Sequence, residues 1–338
     1  MAASSKLISF IIPTLNSGTV LDHCLKSISS QNFDQNQIEI LIVDGGSTDN
    51  TVSISHKYNC IIINNPLKTA ESAKSLGIKS AHGQYVALVD SDNILPTHNW
   101  LKKMLLPFKN KNIIGTEPWE YTYRQSGGFI ERYSALSGVN DPYALISNIY
   151  DRQNKIRKSW NGLSIKVKNY PSYQTFSINQ PLPSIGANGT IYRRSDILKY
   201  FDSPYLIDID LLSIIASKTT NRMFAKVKVG IIHSYCESSI SKFISKQNRR
   251  VTDLYVYQSS RPKSFVSSQF WNNIKFSFYV VLILPMLIDT VRGYLATPDP
   301  AWLFHPLACT ITLYIYGINT IKYRLGLLTP IDRSVWHQ

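Results

Sequence analysis

The strongest constraint on the fold is an alternation of short apolar runs with helix-period segments over the first ~110 residues, which restricts this part of the chain to a layered α/β architecture. "LISFIIP" is an apolar run stopped by proline, and "TVLDHCLKSISSQ" has apolar positions at helical spacing. "IEILIVD", "CIIINN" and "QYVALVD" are again strand-like, and "TVSISHKY" and "TAESAKSLGIKSA" are helical. Such a pattern predicts a mostly parallel sheet with helices on both faces, in which ligands bind beyond the carboxyl ends of the strands. Pro13, Asp44 and Asp90 each stand at such an end.

From about Glu117 to Pro183 the pattern loosens into a Tyr-, Trp- and Lys/Arg-rich stretch without clear period, as expected of an elaboration around a site. Regular patterning returns at "IGANGTIYRRSDIL" and "YLIDIDLLSIIA". The formal net charge of +14 favours an anionic partner: nucleic acid, a phosphorylated substrate or a lipid surface. With no dense basic arm, nucleic acid is the least favoured of the three and is not expected as a partner. Cys24, Cys60, Cys236 and Cys309 lack ligand-like spacing and read as reduced, buried thiols of a cytosolic compartment. Leu7–Ile12 before Pro13 is too short for a signal-peptide core, so the catalytic part is expected in the cytoplasm, where the sequon at Asn188 has no consequence.

The tail changes in composition. Phe276–Ile288 is uncharged but only thirteen residues long, short of the ~20 that span a bilayer. After "ATPDP", the run Ala301–Ile321 has no formal charge and is nearly long enough. Arg261, Lys263, Lys275, Lys322, Arg324 and Arg333 flank the pair on its outer sides, while the connecting "ATPDPAW" holds only Asp299. The positive-inside tendency places both ends in the cytoplasm, as a membrane hairpin or a shallow in-plane pair. A buried helical hairpin in a soluble domain is the competing reading.

Three local patterns carry chemistry. "VDGGSTDNT", residues 43–51, packs acids, glycines and hydroxyls behind a strand, and Asp49 fits a helix N-cap. "ALVDSDN" sets Asp90 and Asp92 two residues apart past another strand, a spacing that can present carboxylates to a hard divalent cation, although strand-end acids also serve as turn formers. "YLIDIDLLSII" holds Asp208 and Asp210 before a helix, where either could act as a cap or, in Asp208's apolar setting, as a carboxyl inclined toward its protonated form.

Taken in order, "SFIIPTLNS", "IEILIVDGGSTDNT", "AKSLGIKSAHGQYVALVDSDN" and "IGANGTIYRR" resemble the family 2 glycosyltransferases, over roughly Lys6 to Arg250. The resemblance implies the GT-A nucleotide-sugar-binding fold, a Rossmann-like sheet with flanking helices, here followed by the C-terminal hydrophobic helical hairpin. It implies a donor-binding subdomain over 1–115 and an acceptor-binding and catalytic subdomain over 116–262; the composition of the tail adds membrane-associated helices over 263–338. By the same resemblance Pro13, Thr14 and Asn16 form a nucleotide-contacting loop, Asp44 contacts the base, and Lys74 belongs to the donor site. Gly45 replaces a usual acid and Ser75 a usual asparagine. Asp90, Ser91 and Asp92 match the D-x-D segment, with Asp92 a ligand of Mn²⁺ or Mg²⁺ and Asp90 toward ribose or metal. His233 is a candidate for the metal or diphosphate, Arg249 and Arg250 for the diphosphate or anionic lipid, and "GANGT" (186–190) for the acceptor side. Asp208 matches the general base, and Asp210 reads as the helix cap.

The implied function is metal-dependent, inverting transfer of a sugar from a nucleotide-sugar donor to a lipid-linked or membrane-proximal glycan, at the cell membrane with the catalytic domain facing the cytoplasm. The rivals are a polyprenyl-phosphate sugar synthase, whose acceptor needs little or no base, a non-catalytic membrane- or glycan-binding scaffold, and, more distantly, a nucleotidyltransferase.

Overall fold

The structure, a computed structural model, describes residues 6–258 and 263–330, with the backbone alone for 263–269. Arg261 and Arg333, two of the flanking cations, lie outside the described residues. The chain divides into two units: residues 6–119 with 164–233, and residues 120–163 with 234–330. This division differs from the three consecutive segments expected above.

The first unit is built on one sheet. Its strands are β1 (Ile8–Thr14), β2 (Ile38–Asp44), β3 (Ile61–Asn64), β4 (Tyr85–Leu88), β5 (Asn93–Ile94), β6 (Ile113–Tyr121), β7 (Val167–Asn169), β8 (Tyr173–Ser177), β9 (Thr190–Arg193) and β10 (Met223–His233). Their order is β3-β2-β1-β4-β9-β6-β10-β8-β7, with β5 paired off this path to β10. The β3-β2-β1-β4 half is parallel, as the alternation predicts. Beyond β4 the pairs β4–β9, β6–β9, β8–β10 and β7–β8 are antiparallel, so the sheet is mixed. Of the antiparallel half, β7 and β8 come from the stretch without clear period, where strands of three and five residues are too short to display one.

The parallel half is covered in the expected manner. The helix Leu21–Ser29 buries Leu21, Cys24, Leu25 and Ile28, one face at a 3.6-residue period. The helix Ala70–Ser80 starts where the Thr69 hydroxyl accepts from the Ser72 amide at 3.0 Å. It lies so close to the sheet that a Cβ on Gly77 would stand 2.4 Å from Ile11 Cγ2. All four cysteines are free and buried.

The second unit is helical: Phe129–Ser137, Pro142–Ile146, Ile240–Val256, Lys263–Val281, Leu284–Ala296 and Phe304–Arg324. One core gathers Ile130, Tyr133, Phe243, Trp302, Phe304 and Ala308, and a second joins Leu145, Ile146 and Tyr150 to Phe276, Met286 and Cys309. The C-terminal helices therefore share their cores with residues 129–150 instead of forming a separate segment. Inside this unit the buried His305 receives Tyr133 Oη at Nδ1 (2.7 Å) and meets Tyr279 Oη at Nε2 (2.9 Å). Tyr279 donates its own proton to Asp289, so it accepts from His305, which fixes the Nε2–H tautomer. Burial lowers the His305 pKa to about 4, only partly opposed by Asp289.

Candidate active site

Strand register brings the first two motifs together. Pro13 and Thr14 of β1 lie opposite Val43 and Asp44 of β2. The Asp44 carboxylate is enclosed by its own loop: Oδ1 accepts from Thr14 Oγ1 (2.8 Å) and Ser47 Oγ (2.5 Å), Oδ2 from the amides of Gly46 (2.9 Å) and Ser47 (2.7 Å). Asn16, at φ +52°, takes the Thr48 amide on Oδ1 and gives its own amide to Ser47 Oγ. The Gly18 amide reaches Asp49, and the Ser17 amide reaches Thr51 Oγ1. "VDGGSTDNT" is thus more than a turn: it is stitched to residues 14–18 along its length. Asp49 does not occupy the cap position itself, which falls to Asn50, but its carboxylate accepts from the Thr51 amide at 3.0 Å. Desolvation would raise the Asp49 pKa, yet its bonds to Thr51 and Gly18 bring it below the ordinary carboxylate value. Gly45 is tightly placed: a Cβ there would be 3.3 Å from Lys68 Cα, which leaves little room for the acid the family usually has.

The D-x-D loop is held by a residue that the sequence reading missed. Asn93, fully buried, accepts the Asp90 amide on Oδ1 (3.1 Å) and donates from Nδ2 to Asn188 Oδ1 (3.0 Å). It ties Asp90–Asp92 to the "GANGT" loop. The signal was an amide immediately after the acidic pair. Ser91 is buried and turned toward the first loop, 3.2 Å from Ser17 Oγ. The two-residue β5 pairs Asn93 with His233 at the end of β10, and Trp100 Nε1 fixes the same strand through the Gly230 carbonyl (2.8 Å). His233 Nε2 consequently stands 3.3 Å from Asp92 Oδ1. Asp90, Asp92 and His233 each offer one ligand atom within 4.8 Å of the others. Two carboxylates and an imidazole form a donor set that fits Mn²⁺ or Mg²⁺, with oxygen ligands left to the substrate.

Lys74 links this cluster to the base candidate. It sits buried on the helix Ala70–Ser80, with Nζ 2.8 Å from Asp208 Oδ2 and 4.0 Å from Asp90 Oδ1. Burial alone would lower its pKa, but Asp208, then Asp90 and Glu71, more than reverse this and leave it above the ordinary lysine value. The same helix anchors the approach to Asp208: Ser75 donates to the Ser203 carbonyl, and Glu71 O takes the Leu206 amide (3.0 Å). The apolar surroundings expected for Asp208 are therefore corrected. Its carboxylate lies against the Lys74 ammonium, and a neighbouring opposite charge favours the ionised form. Asp208 opens the helix Asp208–Ala216 and Asp210 is buried in its first turn; Ile207 occupies the cap position, so neither acid caps in the expected way. A Cβ on Gly186 would lie 3.9 Å from Asp208 Oδ2, so the backbone of the "GANGT" loop passes beside that carboxylate.

Arg249 and Arg250 stand on the helix Ile240–Val256 of the second unit. Arg250 is engaged there, 3.4 Å from Asp141 and donating to Gln247 at 3.0 Å.

The mixed α/β sheet has the GT-A fold, and residues 9–201 match the profile of Glycosyl transferase family 2. The chain belongs to that family. Among characterised relatives, it is 26% identical over 147 residues to the glycosyltransferase AglE of Haloferax volcanii (41% of this chain, 48% of that protein). It is 34% identical over 135 residues to the glycosyltransferase GlyG of Streptococcus pneumoniae (37% and 42%). The matched region spans about half the length of these relatives. The solved mannosyltransferase PcManGT of Pyrobaculum calidifontis, in complex with GDP-Man and Mn²⁺, has a similar fold, with a TM-score of 0.53 at 11% identity over 93% of this chain and 86% of that one.

Proposed function

We propose that the protein is a metal-dependent, inverting glycosyltransferase that moves a sugar from a nucleotide-sugar donor to a hydroxyl of a lipid-linked or membrane-proximal glycan, at the cytoplasmic face of the membrane. The observation that carries this reading is Lys74, which joins Asp208 to the Asp90–Asp92–His233 cluster within one unit. The nucleoside end lies along the stitched loops of Thr14, Asn16 and Asp44. Asp90, Asp92 and His233 would hold the cation, which when bound neutralises the charge that accumulates on a diphosphate leaving group. Asp208 accepts the proton of the acceptor hydroxyl as its oxygen bonds to the anomeric carbon. The bond from that carbon to the diphosphate breaks with its electron pair leaving on the diphosphate oxygen. Lys74 keeps Asp208 ionised and oriented. The structure of PcManGT with GDP-Man and Mn²⁺ supports the choice of donor and metal. The net charge of +14 and the apolar surface of the second unit support the membrane.

One observation favours a second reading. An ammonium at 2.8 Å makes Asp208 a weaker base, which suits an acceptor that is already an anion, such as a lipid phosphate. Asp208→Asn separates the two. With donor, Mn²⁺ and acceptor supplied, loss of a general base costs about 10²–10⁴-fold in transfer. Transfer at near-parental rate by the folded variant would reject the base assignment and put the lipid-phosphate acceptor first.

A further inference from the structure

In the second unit, exposed apolar side chains concentrate on two helical arms, Phe270–Val281 and Leu284–Ala296, whose axes are bent by 81°. The first arm belongs to the helix Lys263–Val281, whose uncharged part beyond Lys275 is only about 9 Å long at 1.5 Å per residue, and the second arm is about 20 Å long; both fall well short of a bilayer's ~30 Å hydrocarbon core. Between them lies an apex of four consecutive apolar residues. Val281, Leu282, Ile283 and Leu284 each expose 57–68% of their area. Ile283 there adopts φ +59°, ψ −53°, and the Leu284 amide closes back onto the Leu282 carbonyl at 2.5 Å. This positive-φ γ-turn is rare and strained, most of all for a β-branched residue. In water the apex would be doubly unfavourable, strained and greasy; in hydrocarbon its side chains become favourable. The two formal charges between Phe276 and Ala296, Asp289 and Arg292, stand 3.6 Å apart, and Asp289 also accepts from Tyr279. Lys275 precedes the apex, and Lys322 and Arg324 end the neighbouring long helix, cations suited to an anionic headgroup layer.

That long helix, Pro300–Arg324, is apolar and long enough to cross a membrane, but close to half of it is buried in the protein. It lies along Ile240–Val256: Asn319 donates to Asn248 (2.8 Å) and accepts from Thr252 (3.3 Å), Tyr255 meets Thr320 at 2.7 Å, and Tyr255 stacks on Tyr323. Ile240–Val256 carries Lys242, Lys246, Arg249, Arg250 and Asp253, so a crossing by its companion would draw these charges toward hydrocarbon.

We infer that the bent pair is a re-entrant wedge that enters one leaflet of an anionic bilayer, with Val281–Leu284 deepest, and returns to the same side, while Phe304–Arg324 stays packed against protein and does not cross. This rests on the membrane part of the proposed function. The test adds purified full-length protein to preformed vesicles of phosphatidylcholine with phosphatidylglycerol, or of phosphatidylcholine alone, and floats them. The wild type floats with the anionic vesicles and far less with the neutral ones. Leu282→Asp reduces the bound fraction about tenfold or more, the loss of one buried leucine. Ile283→Gly also reduces binding without lowering the melting temperature, because glycine relieves the turn. Cysteines introduced by Leu303→Cys and Leu327→Cys, at the two ends of the long helix, both react with an impermeant maleimide added outside; the native thiols are buried. Protection of one end alone would show a span and overturn the wedge, as would equal flotation of both apex variants, while the membrane reading would stand. A wild type that does not float, and that sediments as a dimer dissociated by Leu282→Asp, would overturn both and assign the surface to a second copy.

Discussion

Lys74 is the point at which fold and chemistry can be weighed together. At 2.8 Å and an effective dielectric of ~20, its attraction to Asp208 is about 6 kcal/mol, and the desolvation of a buried ammonium takes back much of this. A net coupling of about 2 kcal/mol remains, inside the range measured for contacting residues. The two single variants should differ. Lys74→Met leaves Asp208 and Asp90, which both reach water, and should cost about 1–2 kcal/mol. Asp208→Asn leaves a buried ammonium with the weaker partners Asp90, at 4.0 Å, and Glu71, and should cost about 3 kcal/mol. Urea unfolding followed by circular dichroism gives both values and that of the double variant, which should fall short of their sum by about 2 kcal/mol. A raised lysine pKa means that the stabilisation is complete below the unfolded value of about 10.4 and is lost only as pH rises through the folded one. The coupling should therefore be equal at about pH 6 and pH 9. Additivity within about 0.5 kcal/mol would refute the ion pair as the device that orients Asp208.

Asn93→Ala should cost about 1–3 kcal/mol in thermal unfolding through its two lost bonds, and Mn²⁺ titration should show roughly 10–100-fold weaker affinity, as for other supports of metal ligands. His305 has a depressed pKa, so the unfolded chain binds its proton first, and stability is lost as pH falls from about 6.5 to about 4. Melting temperatures across that window should decline more steeply for the wild type than for His305→Gln, by up to about 3 kcal/mol of stability. Gly77→Ala would ordinarily gain about 0.5–1 kcal/mol in a helix interior. Here the contact with Ile11 wins, and denaturant titration should show a net loss of about 1–3 kcal/mol.

The parallel half of the sheet was legible because its strands announce themselves as short apolar runs, three of them with an acid or proline at the carboxyl end. Pro13, Asp44 and Asp90 follow directly from that rule, whereas Thr14 came from the family resemblance. Less was legible wherever an element is short or a partner distant. β5 has two residues and no pattern, yet its pairing with β10 is what sets His233 beside Asp92. Lys74 and Asp208 are 134 positions apart, so the ion pair that replaces Asp208's expected apolar setting has no local trace. In the tail, hydropathy reports that a surface is apolar but not what it faces. Phe304–Arg324 satisfies the length of a span while Asn319 and Thr320 bind a charged helix. Ser75 departs from the family's residue and donates to the Ser203 carbonyl, a distant partner that the sequence does not announce.

The most direct measurement is calorimetric titration of GDP and UDP, each with Mn²⁺, into the wild type and Asp92→Asn. Asp92 lies in a strand-end loop, so the variant should keep its melting temperature within about 0.5 kcal/mol of stability. The wild type should bind at least one of the two nucleotides in a Mn²⁺-dependent manner, and Asp92→Asn should lose most of that binding. Nucleotide and Mn²⁺ binding unchanged in a folded Asp92→Asn would contradict the assignment of the site.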